Sequence, residues 1–372
     1  MRSFRITFWA FALVFFTLAS PAFAESKIVN ILSWSDYFDP KILEDFTRET
    51  GIKIVYDTYA SSDELEARLR GGKTDYDMVV APGASLQRLI ASGALQKLDK
   101  AKLPNSRNLS PELMARLALY DPANQYAVPY LWFTTGIAYD IEKAKARLAP
   151  ASTEAGFVAS WDTILKPDIF KAFADCGIDV LDSPEDLFAI ALRYLRLNPD
   201  SKNPNDLRRA AELLSGLRRY VKAFSSSDYP NALANGDICL AVGWTGGGFQ
   251  ARARAREAEN GVDIGYAIPK EGTLISLDNL AIPKESPHTG NSYALIDFLL
   301  RPEIAACNTN TTKFANGVPA SKSWIAKDIL DDKAIYPEPD MMSRLFAVSN
   351  ADPATQKLIA REWVRIKTGK YP

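Results

Sequence analysis

Between Ile28 and Gly93 the chain alternates short β-like runs with amphipathic helical ones. That alternation restricts the fold more than any other feature of its 372 residues. Ile28 to Leu32 is a short apolar strand. Asp39 is placed to cap a helix starting at Pro40, with Ile42, Leu43 and Phe46 as its buried stripe and Gly51 as its stop. Ile52 to Tyr56 reads as a second strand, and Ser62 to Leu69 as a helix closed by Gly71-Gly72. Met78-Val79-Val80 reads as a buried strand, followed by a helix through Leu86, Leu89 and Ile90. A βαβαβα series implies an α/β fold with a parallel sheet covered by helices. Ligands of such open sheets sit at the carboxyl ends of strands. Trp34-Ser35-Asp36-Tyr37 and Ala81 to Ser85 both fall there.

A second α/β series follows. Val128 to Phe133 runs into Thr134 to Tyr139, long enough to pass from one lobe to another. Helices are expected near 184–197 and 205–219, a strand from Asp237 to Trp244, a charged helix over 249–259 and a strand from Val262 to Ile268. Ser276 to Ile282 alternates apolar residues in a pattern suited to crossing back. Two crossings between two α/β lobes describe a hinged molecule with its ligand in the cleft. The expected division is 25–133 with about 275–316 for the first lobe, and 134–274 with about 317–372 for the second.

Arg2 and Arg5, the apolar run Ile6 to Leu18 and Ala22-Phe23-Ala24 have the form of a cleaved signal peptide over 1–24. The expected product is exported to the periplasm. About 350 residues then remain, enough for two ordinary domains. Charge is balanced, with 44 basic and 45 acidic residues and no long run of either sign. That argues against nucleic acid or an acidic membrane surface as a partner. Of Cys176, Cys239 and Cys307, one pair can bridge in an oxidising compartment and one is left over. Cys176 and Cys239 both adjoin strand-like runs. The single histidine, His288, reads as a surface residue at the entry to a helix.

Trp34 to Tyr37 sets two aromatics beside a carboxylate. Aromatic faces attract ammonium groups and a carboxylate neutralises them, so such a cluster suits an organic cation. Other candidates at element ends are Ser85, Glu185, Asp186, Trp244, Asp278 and Phe314. No nucleophile–base pair and no short metal-type spacing stands among them, so neither an enzyme, a metal nor a cofactor is expected. Gly246-Gly247-Gly248 lacks the Lys-Ser/Thr of a phosphate loop. Tyr130 and Trp132 read as core.

At these residues the chain resembles the periplasmic polyamine-binding proteins of ABC transporters, above all the putrescine receptors. The likeness runs through Trp34 to Tyr37, Glu49 to Lys53, Tyr76 to Val80, Leu98 to Lys100, Thr134 to Ile137, Ala234 to Cys239, Gly243-Trp244 and Ile268 to Gly272. The resemblance implies the type II periplasmic-binding-protein fold, two lobes closing on a linear polyamine such as putrescine or spermidine. The implied partner is an inner-membrane permease, and the implied state a monomer. Trp34, Tyr37, Trp244 and Phe314 match aromatic walls, Ser35 a contact to an amine end, and Asp36 and Asp278 carboxylates that pair with ammonium. The acids after Pro184 match another carboxylate site, with Asp186 favoured over Glu185. Ser226 matches a residue near the pocket, and Cys176 and Cys239 match a disulfide pair.

The departures from the pattern are specific. Gly247 stands where putrescine receptors carry Asp, Ala81-Pro82 where they carry Pro-Ser, Ser276 where they carry an aromatic, and Phe314 where they usually carry Tyr. Gly247 and Ser276 are expected to enlarge the pocket. An alternative ligand is a monoamine, an amino-acid-like amine or a guanidino compound, and a ligand-sensing role is a further alternative.

Overall fold

The computed structural model describes residues 26–70, 74–148 and 158–371. The leader expected over 1–24 and the Gly71-Gly72 helix stop lie outside the described residues.

Among the described residues ten strands form a continuous sheet system: β1 (Ile28–Ser33), β2 (Lys53–Thr58), β3 (Met78–Pro82), β4 (Ala127–Asp140), β5 (Ile178–Val180), β6 (Ala223–Phe224), β7 (Leu240–Trp244), β8 (Ile264–Ala267), β9 (Ile275–Ala281) and β10 (Ala315–Asn316). In the first lobe β2, β1 and β3 are parallel, and β9 runs antiparallel beside β3. Alternation along β1 sends side chains to opposite faces. Val29 and Ile31 join Phe46 and Phe298 in one apolar cluster, while Leu32 joins Leu65, Leu86 and Leu89 in another. The helix Pro40–Thr50 begins as expected, with Asp39 accepting from the Lys41 amide and Gly51 closing it at φ 71°. That left-handed angle suits a residue without a Cβ.

The long strand β4 joins the lobes. It pairs with β9 from Ala127 to Thr134, and with β7 from Thr135 to Tyr139. β8 also pairs with its second half, and β10 with its first. In the second lobe β5 lies parallel between β7 and β6. The expected return crossing differs, because β9 lies wholly against β3 and β4. The return is made by the residues before it, where Thr273 donates to the Thr135 carbonyl at 2.6 Å. The helices Pro184–Tyr194, Pro204–Ser215 and Pro353–Thr368 cover this lobe.

Cys176 and Cys239 are bridged, holding the chain just before β5 to that before β7. Cys307 is free and half-buried, 3.4 Å from an oxygen of Asp39, and burial raises its thiol pKa. His288 is not a plain surface residue. Its ring nitrogen Nδ1 lies 3.0 Å from buried Asp77, which also accepts from the His288 amide and Ser286. This acid organises the start of the helix Thr289–Leu299.

Candidate functional site

The candidate residues come from strand ends, as the topology requires. β1 ends at Ser33 and delivers Trp34, Ser35, Asp36 and Tyr37. Asp36 adopts φ 56°, a left-handed conformation that Asp tolerates better than most residues. The turn leaves Ser35 and Asp36 exposed while Tyr37 is buried. Asp36, expected to pair with ammonium, would therefore do so in water. Trp34 is half-buried and rests on Tyr59, with ring centroids 4.4 Å apart.

Asp278, on β9 opposite the end of β3, is the most unusual group in the cleft. It is 1% exposed, and its Oδ2 accepts a 2.6 Å hydrogen bond from the Tyr37 hydroxyl. Its Oδ1 is buried without a hydrogen-bond partner among the described residues. Burial pushes its pKa up to about 7, against the Tyr37 hydroxyl and the nearby Trp34 side chain, which lower it. A buried carboxylate without a cation is costly and holds its proton. A cation placed at Oδ1 would supply the missing partner.

The second lobe contributes Trp244, at the end of β7, and the acids that open the helix Pro184–Tyr194. Their roles differ from the expectation that favoured Asp186. Asp186 accepts from Thr135 at 2.6 Å, from the Trp244 indole at 3.0 Å and from Ser183 at 2.9 Å. Its oxygens already serve three protein donors, and it holds the Trp244 ring in place. Burial raises its pKa, with those donors opposing. Glu185 is exposed on the crowded cleft wall. Loss of hydration raises its pKa, Asp186 adds to the rise, and Arg88 of the first lobe opposes it. Asp186 is thus engaged by protein donors, while Glu185 beside it keeps an exposed side chain.

Phe314 bridges the lobes. Its ring lies 5.1 Å from that of Tyr37 and 5.7 Å from that of Phe133, and a Cβ on Gly246 would come within 2.1 Å of it. Three expectations need correction. Ser85 is fully buried in the helix Gly83–Ala91, and its hydroxyl donates to Glu66 at 2.9 Å, where Arg88 also binds. Gly247 does not enlarge the cleft, because the Tyr229 hydroxyl sits 1.9 Å from where its Cβ would be. Half-buried Ser276 does not leave an aromatic gap either. Its cross-strand partner Phe133 packs edge-on to Trp244 at 6.3 Å. Ser226 is half-buried in the segment between β6 and the helix Tyr229–Ala234.

Tyr59, Phe133 and Tyr229 are the cleft residues that sequence reasoning missed. Phe133 carried a usable signal: it follows Trp132 on a strand and so points to the opposite face from that buried ring. Tyr130 and Trp132 are buried, as expected of core residues. Among the described residues no cluster of His, Cys, Asp and Glu is arranged to hold a metal ion.

Residues 41–338 match the family described as bacterial extracellular solute-binding protein. The chain is 42% identical over 370 residues to the putrescine-binding periplasmic protein SpuD of Pseudomonas aeruginosa, covering 100% of both. It is 41% identical over 348 residues to the putrescine-binding periplasmic protein PotF of Escherichia coli, covering 93% of each. Among solved structures it is similar to the spermidine/putrescine ABC transporter substrate-binding protein PotD of Streptococcus pneumoniae. That match has a TM-score of 0.79 and 25% identity, over 92% of this chain and 99% of that one.

Proposed function

Because the chain belongs to the bacterial extracellular solute-binding proteins, we propose that it captures a polyamine of the putrescine class and delivers it to an ABC importer. The observation that carries the ligand class is Asp278, a buried acid beside Trp34, Tyr37 and Tyr59 with one oxygen lacking a hydrogen-bond partner among the described residues. An ammonium there gains a charge-assisted hydrogen bond and the aromatic faces around it. The methylene chain then runs past Phe314 and Phe133 toward Trp244, and Glu185 meets the far end at the rim.

Closure of the lobes excludes water and stabilises the form that a permease recognises. The relatives are periplasmic, and no helix among the described residues is long and apolar enough to cross a membrane. We place the receptor in the periplasm, exported by the leader over 1–24, acting as a monomer. The lobe division keeps the change of pairing at Thr134 and Thr135 as its first hinge crossing.

Calorimetric titration with putrescine, spermidine, cadaverine and agmatine tests the reading. Binding of at least one at micromolar affinity or better supports it, and no heat with any of them overturns it. A single charged end is a second reading, supported because, of the cleft acids Asp36, Glu185, Asp186 and Asp278, it is Asp278 that is buried with an oxygen lacking a protein donor among the described residues.

A further inference from the structure

The strand β2 ends the sheet on the first-lobe side, and among the described residues its one partner strand is β1. The Lys53 and Tyr59 amides donate to the carbonyls of Lys27 and Ser33, each at 3.0 Å. Odd-numbered residues therefore bond to β1, and the N–H and C=O groups of Ile54, Tyr56 and Thr58 face outward. Such a row is a template for another strand. Side chains alternate between faces as well. Lys53, Val55 and Asp57 share one face and are exposed, Val55 at 44%. The Tyr76 hydroxyl donates to Asp57 at 2.9 Å and orients it. Ile54 and Tyr56 share the other face. With Leu43, Glu44, Thr47 and Arg48 of the helix Pro40–Thr50 they line an open, mostly apolar groove of about 410 Å³.

We propose that this edge is an interaction surface for a second copy of the chain, joined β2 to β2 in antiparallel fashion about a two-fold axis at Val55. The charge pattern selects that occupant and that register. With Val55 opposite Val55, Lys53 of each copy stands opposite Asp57 of the other, and Ile54 opposite Tyr56. Ile54 and Tyr56 then exchange both backbone hydrogen bonds, while the Lys53–Asp57 and Val55–Val55 pairs fall between, where side chains approach most closely. A shift of two residues would set Lys53 or Asp57 against Val55. A shift of one would set outward backbone groups against inward ones. The same axis faces one groove with the other. Glu44 and Arg48 lie one helical turn apart on its rim, so the two rims are also opposite in charge. Such a contact uses one patch on both copies and closes as a dimer. It involves the first lobe alone, so each copy keeps its own cleft and remains the unit that binds amine. One strand and one groove per copy make a small interface, so association should be weaker than about 1 µM. The pairing stands whatever the ligand is.

The test is sedimentation velocity of the mature chain from about 1 µM to about 1 mM, a range that covers small interfaces. Wild type should pass from monomer to dimer and no further. Lys53→Asp and Asp57→Lys each set like charges opposite one another on both sides of the axis, and each should weaken association at least about tenfold. Both positions are exposed, so either variant should fold as wild type does. An equal mixture of the two single variants should associate again, because opposite charges then meet at both pairs. A wild type that stays monomeric throughout the range leaves the edge to some other partner and overturns the proposal. Association unchanged in either single variant puts the contact elsewhere and overturns it too, as does a mixture that stays monomeric. Open-ended oligomers in place of a dimer would exclude the two-fold contact.

Discussion

The hydroxyl of Tyr37 donates to one oxygen of Asp278 at 2.6 Å and leaves the other buried without a hydrogen-bond partner among the described residues. The two residues come from distant parts of the chain and meet where the ends of β1 and β3 face β9. The tyrosine orients the acid, and in the proposed site the other oxygen is where an ammonium would sit.

The pH dependence of binding follows. The empty acid, pushed up to about 7, is protonated in mildly acidic solution. A primary amine stays cationic to about pH 10, in the range of a lysine side chain. Binding requires the ionised acid, so affinity should rise about tenfold per pH unit up to about 7 and then level off. Titrations at pH 5.5, in buffers of different ionisation heat, should show close to one proton released per ligand. A flat profile from pH 5 to 8 would count against Asp278.

Asp278 should also be a group that function retains at the expense of stability. Its raised pKa means that the unfolded chain gives up this proton first as pH rises. Its contribution to stability therefore falls between about pH 4 and 7. Asp278→Asn should melt no lower than wild type at pH 8, yet lose more than about 100-fold in amine affinity. A thermal melt with and without putrescine reads both effects. An intact ligand-induced shift in the variant would exclude Asp278 from the site.

The adjacent acids should separate cleanly. Asp186→Ala strands three donors, from Thr135, Ser183 and Trp244, and should cost about 2 kcal/mol or more of stability. Glu185→Gln should change stability by no more than about 0.5 kcal/mol. It should lower diamine affinity by up to about fivefold, an effect that disappears in high salt. Chemical denaturation paired with calorimetry distinguishes them, and the reverse pattern would return the ligand role to Asp186.

One segment ties the lobes directly. Asn350 accepts from Arg88 at 2.9 Å and donates to the Ala84 carbonyl at 2.7 Å, while neighbouring Ser349 donates to Asp200 at 2.7 Å. Asn350→Ala should destabilise by about 1 kcal/mol and speed ligand release several-fold in stopped-flow experiments. Unchanged release rates would make the segment a static connection.

The Cys176–Cys239 bridge spans a sequence separation of 63. A loop of that size restricts the unfolded chain by about 4 kcal/mol in the entropy model. Replacing both cysteines by serine should lower stability by about 2 to 4 kcal/mol, with amine affinity retained because the bridge lies at the starts of its strands, away from the cleft. Denaturant titration under non-reducing conditions measures it. A Cys307→Ser control should leave the midpoint unchanged within about 0.5 kcal/mol.

What the sequence determined by itself was local. Periodicity and capping placed Pro40–Thr50 and Ser62–Leu69, and they set Trp34 and Trp244 at strand ends. These signals depend on residues a few positions apart, which fix helix faces and strand alternation. Tertiary structure decided how the cleft is furnished. Glu185 and Asp186 differ by one position, about 100° around a helix, and only packing against Thr135 and Trp244 shows which one is consumed. Gly247 looks like vacant space in one dimension, but Tyr229 fills it. Ser276 looks like a lost aromatic, but β4 pairing brings Phe133 beside it. Shared volume and shared hydrogen bonds belong to residues that meet only when the chain is folded, so no local pattern records them.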